Sequence, residues 1–131
     1  MVYDPLKVNV VIAGVYVTGF SEGSMVECAR NEDRITPYMG VKGEWAAALN
    51  MNNSGTITIT LQQGSPMNDI LQRLSNRLDN FPIMVIDTNI GGAFKAGGNN
   101  SIILTEPSVA RNAELTDRVW TIFVFDYSNI V

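Results

Sequence analysis

The stretch SGTITITLQQGSPMNDILQRLSNRL, Ser54 to Leu78, decides the fold class. Its first half alternates: Ile57, Ile59 and Leu61 fall on one side and Thr56, Thr58 and Thr60 on the other, the period of two of a half-buried strand. Its second half changes period. Met67, Ile70, Leu71, Leu74 and Leu78 recur at helical spacing and form one apolar stripe. Ser65 is placed to cap this helix and Pro66 to open it, where a missing N–H costs nothing. Asp69 near the start and Arg73 and Arg77 near the end suit the helix dipole. The spacing predicts a helix over about 66–79, ending before Pro82.

Outward from this pair the chain reads as strands. KVNVVIAGVYVTGF predicts a hairpin around Gly14, and SMVECAR, residues 24–30, a third strand of imperfect alternation. PIMVID, GAFKA, NSIILTE and DRVWTIFVFDY predict further strands, with NIGG and AGGNN as turns. In the last strand Val119, Thr121, Phe123 and Phe125 alternate with Trp120, Ile122 and Val124, so both faces are largely apolar and both call for cover, from the helix or from a neighbouring subunit. Trp120, Phe123, Phe125 and Met67 are expected in the core. The fold class is therefore mainly β with one α-helix, in a single domain spanning residues 1–131.

Residues 31–44 break this rhythm. Asn31, Glu32, Asp33, Pro37, Gly40 and Gly43 are turn formers, which argues for a long loop, about 31–45, over a regular element. Loops of that length in compact domains tend to be functional or disordered. Ile35, Tyr38, Met39, Val41 and Trp45 argue against disorder and for a surface on which the segment packs. Tyr38 and Trp45, aromatic residues beside a polar loop, have the character of interface anchors.

Composition narrows the function. Charged residues make up 17% of the chain, below the usual ~25%, so the surface has few charges to keep it solvated and other protein could cover part of it. The net charge of −4 has the wrong sign for gripping phosphate backbones. The one cysteine, Cys28, cannot form an internal disulfide, and MVYDPLKVNV lacks the pattern of a secretory leader; both fit synthesis in a reducing cytoplasm. No apolar run reaches the ~20 residues of a membrane helix.

Catalytic chemistry is hard to build from these residues. The absence of histidine removes Ser-His-Asp and Cys-His systems and most zinc sites. DTNIGGAFKAGG begins like a calcium loop at Asp87, Asn89 and Gly92 but has Gly98 where a bidentate glutamate is required. Its glycines open no helix after a Gly-Lys-Ser/Thr, so no phosphate loop forms around Lys95. Cys28 reads as a structural thiol. Glu27, Glu32, Asp33 and Glu44 are interleaved with Arg30, Arg34 and Lys42, the pattern of a salt-bridging surface suited to polar contact with another chain. No catalytic residue, metal site or cofactor is expected.

The order ARNEDRITPYMGVKGEWAAALNMNNSGTITITLQQGSPMNDIL, residues 29–71, resembles the small tail tube proteins of contractile-tailed bacteriophages: an Arg-Asn-Glu-Asp stretch, a Gly-x-x-Gly-Glu turn, an Asn run, the Thr-Ile strand, and Ser-Pro with Asn-Asp opening a helix. YDPLKVNVVIAG is similar to that family's opening hairpin; the last third, from Phe81, matches only in being β-rich. The resemblance implies an antiparallel β-sandwich or half-barrel with one helix. It also implies hexameric rings stacked into a tube that passes DNA without binding it specifically, with tail sheath and baseplate as partners and the virion tail as location. The subunit and ring interface would then carry Arg30, Asn31, Glu32, Asp33, Arg34, Tyr38, Gly43, Glu44 and Trp45, with the lumen unassigned. The inner tube of an R-type bacteriocin or secretion system, a monomeric β-barrel binding module whose long loop is a lid, and a carboxylate or metal-dependent hydrolase are the competing readings.

Overall fold

The computed structural model describes residues 8–20, 26–89, 94–107 and 116–130. The elements in chain order are β1 (Val8–Ile12), β2 (Val15–Tyr16), β3 (Val26–Arg30), β4 (Ile35–Met39), β5 (Trp45–Leu49), β6 (Gly55–Leu61), α1 (Met67–Arg77), β7 (Phe81–Asp87), β8 (Phe94–Thr105), β9 (Arg118–Val124) and β10 (Ser128–Ile130).

One antiparallel sheet runs in the order β2-β1-β7-β8-β9-β6-β3, with β10 paired to the start of β8. The alternation read in Ser54–Leu78 sets its inner face: Ile57, Ile59 and Leu61 of β6 are buried, and their partners across the ladder, Ile122 and Trp120, are buried too. Val10 and Ile12 from β1 and Phe81, Ile83 and Val85 from β7 join the same cluster, so the sheet rolls around one core as a half-barrel. The chain enters by a two-residue hairpin in which Ala13 (φ 51) and Gly14 (φ 82) take the left-handed conformations such a turn needs.

The helix closes that core. Pro66 has helical dihedrals (φ −64, ψ −18), and the Met67 N–H donates to Ser65 Oγ at 3.3 Å, while the Ser65 hydroxyl donates to the Thr18 carbonyl at 2.6 Å. Met67 and Leu71 are buried, and Trp120 Nε1–H donates to Asn68 Oδ1 at 2.9 Å, pinning the helix to β9. The apolar stripe is shorter than its spacing implies. Leu78 lies past the last helical residue, in the left-handed cap conformation (φ 57), and is exposed.

Two expectations about the sheet are corrected. AGGNN is no turn: β8 runs through it, with register irregularities on both flanking ladders. Gly97 (φ 145) makes this possible, because a Cβ there would stand 2.1 Å from the Ile83 carbonyl oxygen. The Asp126 carboxylate accepts the N–H groups of Asn99 (3.1 Å) and Asn100 (3.0 Å), satisfying backbone donors where the strand is irregular. Partial burial pushes that carboxyl upward, and these hydrogen bonds outweigh it and hold it below its usual range. NIGG lies outside the described residues.

The second correction concerns β9. Trp120 is core, whereas Phe123 is half-buried and Phe125 is half exposed, the two rings meeting edge to face at 5.1 Å. The helix packs on the Trp120 face, whereas the face shared by Phe123, Val119 and the threonines of β6 is only partly buried. Of the two covers considered for this strand, the helix supplies only the inner one.

Candidate assembly surface

Residues 31–45 are not a plain loop. Ile35–Met39 and Trp45–Leu49 pair as a two-stranded antiparallel ribbon that joins the main sheet nowhere. The turn-former composition hid it, because Pro37 normally argues against a strand. The register resolves the conflict. Asn50 N–H donates to the Arg34 carbonyl (2.8 Å) and Gly40 N–H to the Glu44 carbonyl (2.6 Å), so hydrogen-bonded pairs fall on the even-numbered residues of β4. Pro37 occupies a non-bonded position, where it owes the ladder no donor. At the tip Gly43 (φ 86) donates to the Gly40 carbonyl at 3.1 Å, a conformation that other residues adopt only with strain.

The same register sorts the side chains. Ile35 faces Leu49, Pro37 faces Ala47 and Met39 faces Trp45, so one side of the ribbon is apolar along its whole length. Thr36 with Ala48 and Tyr38 with Ala46 occupy the other side. Trp45 is 79% exposed, and Met39, Leu49, Ile35 and Tyr38 are exposed as well. Tyr38 and Trp45 are thus on opposite faces and cannot anchor one contact together. A two-stranded ribbon is marginal in water by itself, and a solvated apolar face makes no folding sense for a lone chain. Burying Trp45 alone would contribute about 4–6 kcal/mol gross, from ~150–250 Å² at ~25 cal/mol per Å².

The remaining expected interface residues cluster at the ribbon's root. Arg30 ends β3 with its guanidinium 5.5 Å from the centroid of the Tyr127 ring. That ring packs on Gly55, where a Cβ would come within 2.3 Å of it. Asn31 Nδ2 donates to Ser54 Oγ (3.0 Å), and Glu32 accepts from Asn50 Nδ2 (2.8 Å). Arg30 to Arg34, with Thr36 and Asn50, line an open depression of about 630 Å³ between ribbon and sheet. The structure therefore divides the expected set: Arg30, Asn31, Glu32, Asp33 and Arg34 at the root, Tyr38, Gly43, Glu44 and Trp45 on the ribbon. Ile35, Met39 and Leu49 complete the apolar face; the sequence singled out Ile35 and Met39 only as packing residues, and Leu49 not at all.

The groups considered for chemistry do not converge. Among the described residues no three of Cys, Asp and Glu come together to hold a metal ion. Asp87 Oδ1 is taken up by Asn89, from N (2.9 Å) and Nδ2 (2.8 Å), while positions 90–93 of the calcium-like stretch lie outside the described residues. Cys28 packs against the core; burial, and secondarily the charge of Glu27, push its thiol up to about 11, so it stays protonated at neutral pH. Among the described residues no helix is long and apolar enough to cross a membrane.

Similar in fold are a chain of the anti-feeding prophage cap (TM-score 0.65, 16% identity, covering 99% of this chain and 91% of that one) and one of the sheath/tube terminator of the PVC extracellular contractile injection system (TM-score 0.65, 13% identity, 100% and 98%). A chain of the PVC sheath-tube complex follows (TM-score 0.60, 14% identity, 97% and 90%). In sequence the chain is 29% identical over 132 residues to the structural protein ORF10 of Pseudomonas phage KPP10, covering 92% of this chain and 76% of that protein. Residues 2–83, which contain β1 to β6, the ribbon and α1, match the model of the bacteriophage PhiTE tail tube protein. The chain belongs to that tail tube family.

Proposed function

We propose that this protein is a structural, non-enzymatic tail tube subunit whose copies close into hexameric rings and stack into a channel for DNA. The observation that carries the reading is the ribbon of β4 and β5, whose apolar face is exposed in the single chain. A second copy is the natural occupant. A ring uses two different patches meeting head to tail and a stack needs two more, which matches a surface poor in charge. At ~800 Å² per partner for one standard interface, several such contacts occupy much of a 14.4 kDa subunit.

Arg30 to Arg34 at the root would fix register through mixed charges, while Trp45, Met39 and Leu49 supply the buried centre of the contact. The net charge of −4 leaves no counterion-release grip on a passing polyanion. Sheath and baseplate proteins are the further partners, and the virion tail, after synthesis in the host cytoplasm, is the location. The match to a phage tail tube family favours a genome-carrying tube over the inner tube of a bacteriocin or secretion system.

Negative-stain electron microscopy and mass photometry across a concentration series test this. Rings, or hollow tubes with six-fold end views, are the expected result. A monomer that persists at every concentration, with or without added baseplate, would overturn it.

A further inference from the structure

The ribbon has a built root. The Thr56 hydroxyl donates to Asn31 Oδ1 (2.6 Å), and Asn31 Nδ2 donates to Ser54 Oγ (3.0 Å). The Ser54 hydroxyl and N–H both go to Asn52 Oδ1 (2.7 and 3.0 Å). Asn52 N–H donates to Asn50 Oδ1 (3.0 Å), and Asn50 Nδ2 donates to Glu32 Oε2 (2.8 Å). The chain of bonds starts on β6, passes to the outgoing stem at Asn31, crosses to the returning stem at Ser54, climbs it through Asn52 and Asn50, and crosses back at Glu32. Backbone bonds from Asn31 N to Ser54 O (3.1 Å) and Asn50 N to Arg34 O (2.8 Å) reinforce it.

Proton counting makes the network directional. Ser54 Oγ has one proton, and Asn52 Oδ1 can only accept, so Ser54 must receive from Asn31. Asn31 therefore needs its amide nitrogen on one side and its oxygen on the other. Asn50 likewise needs both, because its nitrogen faces a carboxylate. Asn52 uses only its oxygen in these contacts.

We propose that Asn31, Asn50 and Asn52 are positioning residues that hold the ribbon at a fixed angle to the sheet before any copy docks, so that assembly starts from an ordered arm. This rests on the reading of the ribbon as a docking element and adds how it is aimed. Preorganisation of this kind strengthens association by removing the entropy cost of ordering a loop on contact.

The test is a set of carboxylate exchanges. Asn31→Asp sets an acceptor against Ser54, and Asn50→Asp sets one against Glu32; each is expected to raise the critical concentration for polymerisation about tenfold or more, the effect of one charge-linked hydrogen bond. Asn52→Leu should do the same, and Asn52→Asp should rescue it, because a carboxylate keeps both acceptor contacts. Hydrogen exchange on unassembled protein gives a second reading independent of assembly. The Gly40 and Asn50 amides should exchange faster in Asn31→Asp and Asn50→Asp, and β6 and β9 amides should not change. If all three aspartate variants behave alike in exchange, or if Asn31→Asp leaves the Gly40 and Asn50 amides as protected as in the parent protein, the inference falls. Loss of tubes in every variant with unchanged exchange would fault it too, while failure of the parent protein to assemble would fault only the docking reading.

Discussion

Removing Ile35–Leu49 and joining Arg34 to Asn50 through an Asn-Gly turn is expected to give a folded subunit that no longer polymerises. Arg34 and Asn50 already form a hydrogen-bonded antiparallel pair, the geometry that a two-residue turn closes. The excised residues are exposed and contribute nothing to the core cluster, so thermal stability should change by less than about 1 kcal/mol. Assembly should respond very differently. Losing the docking of Trp45, worth more than about 3 kcal/mol after ordering costs, raises the critical concentration more than about a hundredfold. Sedimentation and electron microscopy would show this directly, with circular dichroism as the folding control. Tubes formed by the shortened chain at the usual concentration would remove the ribbon from the account.

The largest stability effect is expected at Gly97. A methyl group there would lie 2.1 Å from the Ile83 carbonyl oxygen and 2.9 Å from its carbon, backbone atoms held in the β7–β8 ladder, and the φ of 145 is strained for any L side chain. Gly97→Ala should cost about 3 kcal/mol or more, combining strain with a collision that only backbone movement relieves. In urea the midpoint should fall by roughly 1–3 M for a domain of this size. Gly14→Ala separates the two causes: it has positive φ (82) but open space around the added carbon, and should cost only about 1–2 kcal/mol. Equal losses for both variants would mean that the close approach of β7 and β8 contributes nothing.

Local periodicity carried much of the fold. The inward side of β6, the opening of α1 at Ser65 and Pro66, and the hairpin at Gly14 all follow from residues within a few positions of one another. Features that depend on register were harder to read. Pro37 looked like a strand breaker until the pairing placed it where no donor is needed, and the apolar face of the ribbon is divided between two short strands that only pairing unites. The alternation in β9 was plain, but nothing local says which face the helix takes, so Phe123 and Phe125 were placed inside with Trp120. AGGNN reads as a turn because two glycines and two asparagines usually make one; the close approach to Ile83 that requires Gly97 comes from residues fourteen positions away in sequence. At the candidate surface, the polar and aromatic members were picked out by type. Asn50, Asn52 and Ser54 were not, because their role lies in a hydrogen-bond network spanning both stems.

The two tryptophans report directly on where copies meet, since Trp120 is buried in the subunit and Trp45 is 79% exposed. In a Trp120→Phe background, Trp45 is the sole indole. Its emission and acrylamide quenching should be followed as protein concentration rises through the onset of polymer. Trp45 is expected to be solvent-like and readily quenched in the monomer, and to shift to the blue and become protected as tubes appear. Polymer that forms with Trp45 still fully quenchable would contradict it, because the apolar face of the ribbon would then not be where copies meet.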